Sequence, residues 1–300
     1  ITGPDGGPLT AVNPAGTNPA GTIVYGPSLA TLASEGRLLQ YNALLAYITP
    51  DTHAGGRLAF AVNIPYAAKK TQASTITAAT PAATLAGGGS LNPTQQANFN
   101  AYYQGLLATR SAADSGEVQG LGDIEFQAGW LHREPHLRVL LGASLVTPTG
   151  SYNPAAGPDV SLGKFYTLRP AAQVIWLPQP DWALGARLTY GISSRNQDSQ
   201  VRSGNWFSLE GSSGWRTPYG VFGLHSVLVR QVQDDSGGTW GGNRIRSNNV
   251  GAYYTARIAP IEASFTVQYM KTIESRNAKH GDYLQVRLSN PCDHLGVDLQ

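Results

Sequence analysis

Several shortages in this sequence each remove a class of protein. One residue of 300, Cys292, is a cysteine, so neither a disulfide framework nor a thiolate metal site is available. No apolar run approaches the roughly 20 residues of a transmembrane helix; even residues 139–146 are broken by glycine and serine. Charged residues amount to only 13%, the net charge is +2, and no basic cluster exceeds a few residues, which argues against nucleic acid as a partner. No glycine-rich phosphate loop precedes a helix. The chain opens on Ile1 rather than methionine, so a signal peptide is expected to have been removed or left unrecorded, and targeting has to be read from pattern. A hydrophobic content of 41% excludes disorder, while Gly 35 and Pro 19 fit a chain with many turns.

What the chain does have is strict two-residue alternation. Trp182, Leu184, Ala186, Leu188, Tyr190 and Ile192 point one way; Ala183, Gly185, Arg187, Thr189, Gly191 and Ser193 point the other. The same plan gives about twelve strands. A weak one at 22–33, interrupted by Pro27, is linked by a short stretch at 34–36 to another at 36–47. Others follow at 57–64, 123–130, 137–145, 166–176, 182–193 and 206–210. The last four are 217–231, where the alternation blurs, 250–258, 264–269 and 283–288. Several reach ten residues, longer than the usual 5–6 of soluble strands and near the 9–11 or so of a tilted bilayer-crossing strand. Connections near 51, 133, 179, 213 and 260 are short, and those near 90, 156, 199, 240 and 276 are longer or more polar. Short turns on one side and long loops on the other predict an all-β, transmembrane, antiparallel up-and-down barrel, closed so that no strand edge meets lipid.

The domain reading is an irregular leader over 1–20, a barrel over 21–290 and a C-terminal extension over 291–300. Within the barrel, a long external insertion at 67–117 changes period. Phe99, Tyr102, Tyr103, Leu106 and Leu107 fall at helical spacing after an Asn92-Pro93 cap and first turn, which predicts a short helix serving as a lid or plug.

Charge placement sets the orientation. An arginine facing lipid at the midplane costs about 2–4 kcal/mol, and several together would exceed the ~5–15 kcal/mol stability of an ordinary domain. The charged parity must therefore face inward. That predicts a lumen lined by Arg57, Asn63, Asp123, Glu125, Gln127, Arg138, Leu140, Arg169, Gln173, Arg187, Trp206, Glu210, Arg257, Gln268, Gln285 and Arg287. Trp130, Trp176 and Trp182 sit beside short turns, where a membrane girdle belongs. A soluble sandwich with one wetted face shares the parity but not the strand lengths or the loop asymmetry.

Two stretches, Gly120-Leu121-Gly122-Asp123-Ile124 and residues 145–152 (Leu-Val-Thr-Pro-Thr-Gly-Ser-Tyr), resemble the bacterial outer-membrane channel family associated with meta-pathway phenol degradation. Arg202-Ser203-Gly204, residues 230–237 and Gly281-Asp282-Tyr283 continue the resemblance in order. It implies a twelve-stranded barrel in the bacterial outer membrane admitting small hydrophobic or aromatic compounds. Barrels of that membrane usually end on an aromatic residue, whereas this chain runs on through Asn290-Pro291-Cys292 to Gln300.

His132 and His136 flank Glu134, but Pro135 places them in a turn rather than on a helix face, so no metal site is expected. A barrel enzyme acting on lipid would need a serine, a histidine and an orienting group on the outward wall. Ser144 and Ser264 have inward parity, and His225, the one mid-strand histidine, lies where faces are unassigned. The expectation is a passive channel with no catalytic residue and no cofactor. Its partners are small solutes, outer-membrane lipid and the barrel-assembly machinery. The alternatives are a lipid-acting barrel enzyme and a soluble β-sandwich binding protein.

Overall fold

The computed structural model describes residues 10–13, 15–113, 116–152, 159–237, 244–259, 262–278 and 280–289. Alternating segments pair with their sequence neighbours, because antiparallel strands joined by tight turns are the shortest way to satisfy every backbone group. The strands are β1 (Thr10–Asn13), β2 (Gly16–Thr17), β3 (Ile23–Tyr25), β4 (Ser28–His53), β5 (Gly56–Ala78) and β6 (Ala83–Leu85). After helix α1 (Pro93–Ala113) come β7 (Gly116–Leu121), β8 (Glu125–Arg133), β9 (Leu137–Val146), β10 (Thr167–Gln179) and β11 (Trp182–Ser193). The chain continues with β12 (Trp206–Thr217), β13 (Gly220–Gln231), β14 (Arg246–Ile258), β15 (Ala263–Arg276) and β16 (Asp282–Ser289).

One antiparallel sheet follows the order β1-β4-β5-β8-β9-β10-β11-β12-β13-β14-β15-β16, with β7 paired beside β5, and it is the wall of an up-and-down barrel. Its curl brings Ala46 of β4 and Arg187 of β11 to one cavity. Among the described residues no ladder joins β16 to β4, and both of these strands run from the loop end to the turn end. No helix among the described residues is long and apolar enough to cross a membrane.

Three boundaries differ from the sequence reading. The segments expected as two strands, 22–33 and 36–47, belong largely to the single strand β4; the stretch at 34–36 is a register shift between Glu35 and Gly36 rather than a loop. The twelfth strand of the path is instead β1, from the expected irregular leader, paired with Ser28–Thr31. The remainder of the leader contributes β2; residues 1–9 and the extension 291–300 lie outside the described residues. The insertion expected from residue 67 begins later, because the threonine-rich continuation of β5 keeps pairing with β4 as far as Ala78↔Ala30.

A further correction concerns the turn expected near residue 213. Strand β12 continues to Thr217, and Gly220, at φ 139°, closes the hairpin. Gly211-Ser212-Ser213-Gly214 has turn-like composition, but its small side chains are a thin place in the wall: a Cβ on Gly214 would stand 2.7 Å from the Tyr253 hydroxyl. The hairpin register then assigns the blurred faces of β13. His225 lies opposite Ser212 and Val227 opposite Glu210, so both point inward.

Helix α1 is capped reciprocally: the Gln95 amide donates to Asn92 Oδ1 (2.8 Å), and the Asn92 amide donates to Gln95 Oε1 (2.9 Å). Phe99, Tyr103 and Leu107 follow at i, i+4 and i+8 and bury with Ile23 in a satellite core bordered by Tyr25, Ala78, Ala83 and Leu91. The small sheet β2-β3-β6 supplies the other side of that core.

Candidate functional site

The site is the inward face of the sheet. Directly paired residues share a face, and one such row runs Arg57, Leu131, Leu140, Gln173, Arg187, Glu210, Val227. The same parity places Asn63, Glu125, Gln127, Arg138, Arg169, Trp206, Arg257, Gln268, Gln285 and Arg287 inward. The opposite parity carries Phe60, Phe126, Leu141, Leu168, Leu188, Leu209, Phe222 and Leu284, all exposed on the outside, as a lipid-facing band requires.

A cavity of ≈ 160 Å³ occupies the bore between β4 and β11. Ala46, Ile48, Ala59, Ala61, Leu140 and Ala171 make one part of its wall; Gln127, Ser144, Gln173, Arg169 and Arg187 make the other. A larger depression of ≈ 580 Å³, lined by Leu45, Tyr47, Phe60, Phe126, Leu145 and Leu168, lies on the outward parity, so it is a groove in the lipid-facing wall.

Two polar bridges run along the inward wall, each spanning one intervening strand, β9 for the first and β14 for the second. Arg169 Nη1 lies 3.8 Å from Glu125 Oε1, and its guanidinium stands 5.9 Å from the centre of the Trp206 ring. Trp206 reaches that position because Gly191 opposite it has no side chain; a Cβ there would be 2.1 Å from the indole. The second bridge is Gln268 Nε2 to His225 Nδ1 (2.6 Å), with His225 Nε2 3.9 Å from Glu210 Oε2. Arg57, Arg138, Arg187, Arg257 and Arg287 make no ion pair among the described residues. The bore is therefore richer in positive than in negative charge.

Asp123 is a correction. It precedes β8, and its carboxylate accepts from the Gly150 amide (3.0 Å), Ser161 Oγ (2.8 Å) and the Leu162 amide (2.7 Å). It holds a loop instead of facing solute. That loop lies over the inward side of the β5–β7 pair: a Cβ on Gly120, which pairs with Ala67, would meet Ser151 Oγ at 2.8 Å and Val160 at 4.0 Å. The Lys69 ammonium donates to the Asp159 carbonyl from the same side. Among the described residues, 147–152 and 159–166 thus lie over the loop end of the bore.

The lid expectation for α1 is corrected with it. Phe99, Tyr103 and Leu107 are turned into the satellite core, with Tyr102 and Leu106 half-buried at its margin. Tyr103 is hydrogen-bonded to Ser28, and Phe99 and Tyr103 lie 5.4 and 5.9 Å from the Tyr25 ring. Among the partners, Ile23, Tyr25 and Ala83 belong to β3 and β6, too short to show periodicity in sequence.

At the turn end, Trp130, Trp176 and Trp182 all have outward parity. Trp130 Nε1 donates to the His53 carbonyl (2.8 Å), and Trp182 Nε1 donates to Ser213 Oγ (3.0 Å). Trp215, Phe222 and Tyr254 extend this belt: the Trp215 ring lies 6.4 Å from Trp182, tilted by 39°, and Phe222 lies 4.7 Å from Tyr254. Phe222 was not legible because the faces of β13 were unassigned, and Trp215 because a turn was expected near residue 213. His132 and His136 do not converge on an ion site. His132 contacts the Gly55 carbonyl (2.6 Å) and Glu134 (3.0 Å), and His136 contacts the Leu177 carbonyl (3.1 Å). Ser144 and Ser264 face inward, and neither is hydrogen-bonded to His225 among the described residues.

The motif fragments meet in space. Ile124 N donates to Thr149 Oγ1 (2.9 Å), and Thr147 Oγ1 donates to the Ile124 carbonyl (3.0 Å), joining the two longest fragments. Arg202 and Ser236 exchange backbone hydrogen bonds, and Asp235 accepts from the Gly204 amide (2.8 Å). The Gly281 carbonyl accepts from Thr272 Oγ1 (2.7 Å). These residues fasten the long connections to one another at the loop end.

The chain is similar to the crystal structure of an outer membrane channel from Pseudomonas putida F1, with a TM-score of 0.57 and 11% identity, covering 93% of this chain and 89% of that one. No curated protein matches it. Residues 16–288 match the model of the family described as MetA-pathway of phenol degradation, and the chain belongs to that family.

Proposed function

We propose that this protein is a passive outer-membrane channel for small aromatic or otherwise hydrophobic molecules. The observation that carries the reading is the two-sided bore. Alanines with Ile48 and Leu140 form an apolar track, while Gln127, Gln173, Arg169 and Arg187 offer hydrogen bonds beside it. An aromatic solute with one polar substituent can slide its ring along the first and exchange donors along the second, without covalent chemistry or a cofactor. Membership of a family described by phenol degradation and likeness to an outer membrane channel support the same reading.

The test is liposome swelling with the reconstituted chain and a panel of aromatic acids, neutral aromatics and sugars. Aromatic solutes are expected to enter several-fold faster than sugars of similar mass. Equal rates would mean a general aqueous pore and would overturn the assignment.

A further inference from the structure

The outward wall, apolar over most of its height, carries charge at its loop end: on one side Arg37, Lys70 and Glu117, where Lys70 and Glu117 form an ion pair (3.4 Å), and on the other a row of arginines. Arg230 of β13 is paired directly with Arg246 of β14, and Arg246 directly with Arg276 of β15. Arg230 and Arg246 share the parity of Leu224, Ala252 and Val250, so they lie on the lipid side; the register shift at Asn248/Asn249 turns Glu274 and Arg276 of β15 to that same side. They sit at the loop ends of their strands. On β14 the apolar outward residues run from Ile258 to Val250; at about 3.4 Å per residue and a tilt of about 40° this band is roughly 20 Å tall, close to the ≈ 25 Å expected of a barrel. The arginine row begins just above it, at headgroup level.

Three guanidiniums side by side on one ladder repel one another. Glu274 offsets only part of this: its carboxylate is 2.7 Å from Arg246 Nε and 3.5 Å from Arg230 Nη2, and Asn248 Nδ2 donates to it (2.6 Å). Lys271, also outward, faces Asp282, which is engaged by the Tyr269 hydroxyl (2.6 Å). Four cations thus stand against two carboxylates, and Arg276 joins none of the ion pairs found among the described residues. An excess of two positive charges at headgroup level fits a dianionic group with several acceptor oxygens, which guanidiniums bind in a bidentate manner.

We propose that Arg230, Arg246 and Arg276 form a binding site for the phosphomonoester of an outer-leaflet lipid headgroup. The test is native mass spectrometry of the full chain in detergent, titrated with bisphosphorylated lipid A, with the same lipid after dephosphorylation, and with inorganic phosphate as competitor. The phosphorylated lipid is expected to bind at least ten-fold more tightly than its dephosphorylated form. Arg276→Gln should weaken it several-fold, and the triple change to Gln at least ten-fold, while the triple change to Lys retains part of the affinity. Heat-modifiable migration on gels verifies that each variant is a folded barrel; if the triple Gln variant does not fold, Arg276→Gln decides. Equal affinity for the two lipids, unchanged binding by the Gln variants, or full displacement by an equimolar concentration of inorganic phosphate would overturn the proposal.

Discussion

The Asp123 carboxylate accepts three hydrogen bonds from one loop. Hydrogen bonds to a charged group contribute about 1.5–3 kcal/mol each, and a carboxamide in its place would turn an NH2 toward at least one donor. Asp123→Asn should therefore release the 147–166 connection from the loop end of the bore. The Gly150 and Leu162 amides would lose protection in hydrogen exchange by ten-fold or more, and unchanged protection would refute the role. Gly150→Ala should act in the same direction, because its Cβ would stand 2.8 Å from the Gly122 carbonyl carbon and 2.9 Å from Asp123 Oδ1. A second carboxylate works by pH. The Arg244 guanidinium donates to Asp234 at 2.7 Å and holds its carboxyl below the usual carboxylate range. A lowered folded value means the contact contributes fully above the unfolded carboxylate value near 3.8 and is lost as pH falls through the lower folded one. Both groups are exposed, so the effect is local. Amide exchange at 232–237 and 244–246 should rise relative to the barrel strands between pH 5 and 3, and Asp234→Asn should abolish that difference.

At the scale of elements, what sequence makes legible is what period 2 encodes. Strands β8 to β11 and β14 to β16 have the faces expected of them, and Arg57, Glu125, Arg138, Arg169, Arg187, Arg257 and Arg287 face the side their neighbours predict. The failures have physical reasons. Residues 211–214 combine turn composition with strand geometry, since the wall must be thin where Tyr253 and His225 lie against it. Asp123 continues the inward parity of β8 but stands two residues beyond the ladder, where hydrogen bonds to a loop override alternation. The helix was legible from its 3.6-residue spacing and its Asn92 cap, but its partners were not. Ile23, Tyr25 and Ala83 come from strands of three residues, too short to carry a periodic signal. That core makes a separable prediction. Phe99→Ala removes a ring that is 1% exposed and should cost about 3–5 kcal/mol, more than a small satellite unit can sustain. Helical circular dichroism should fall while heat-modifiable migration of the barrel is retained. Asn92→Ala, which removes only the cap, should cost about 1 kcal/mol and leave the helix folded. Parallel loss of helix and barrel in the Phe99 variant would show that the two are one cooperative unit.

Across the whole molecule the charges divide by position. Positive side chains on the outward wall gather above the apolar band, whereas those on the inward wall run the length of the bore. Two inward carboxylates are engaged, Glu125 with Arg169 and Glu210 with His225, leaving Arg57, Arg138, Arg187, Arg257 and Arg287 without ion pairs among the described residues. Inside a narrow, partly apolar tube the field of such an excess is screened less than at a surface. The channel should therefore conduct anions in preference to cations, and carboxylated aromatics should pass faster than aminated ones of the same size. In planar bilayers under a ten-fold salt gradient, the reversal potential should have the sign of anion selectivity. Arg187→Gln, in the cavity wall, should move it toward zero. Arg169→Ala should do more, because it both removes a cation and frees Glu125, while clearing the face of Trp206 and widening the passage. Its conductance should rise as its anion preference falls. A reversal potential of the cation-selective sign in the unaltered protein would mean that the inward arginines are neutralised by groups other than Glu125 and Glu210, and the bore would then have to be re-read as a stapled wall with no electrostatic filter.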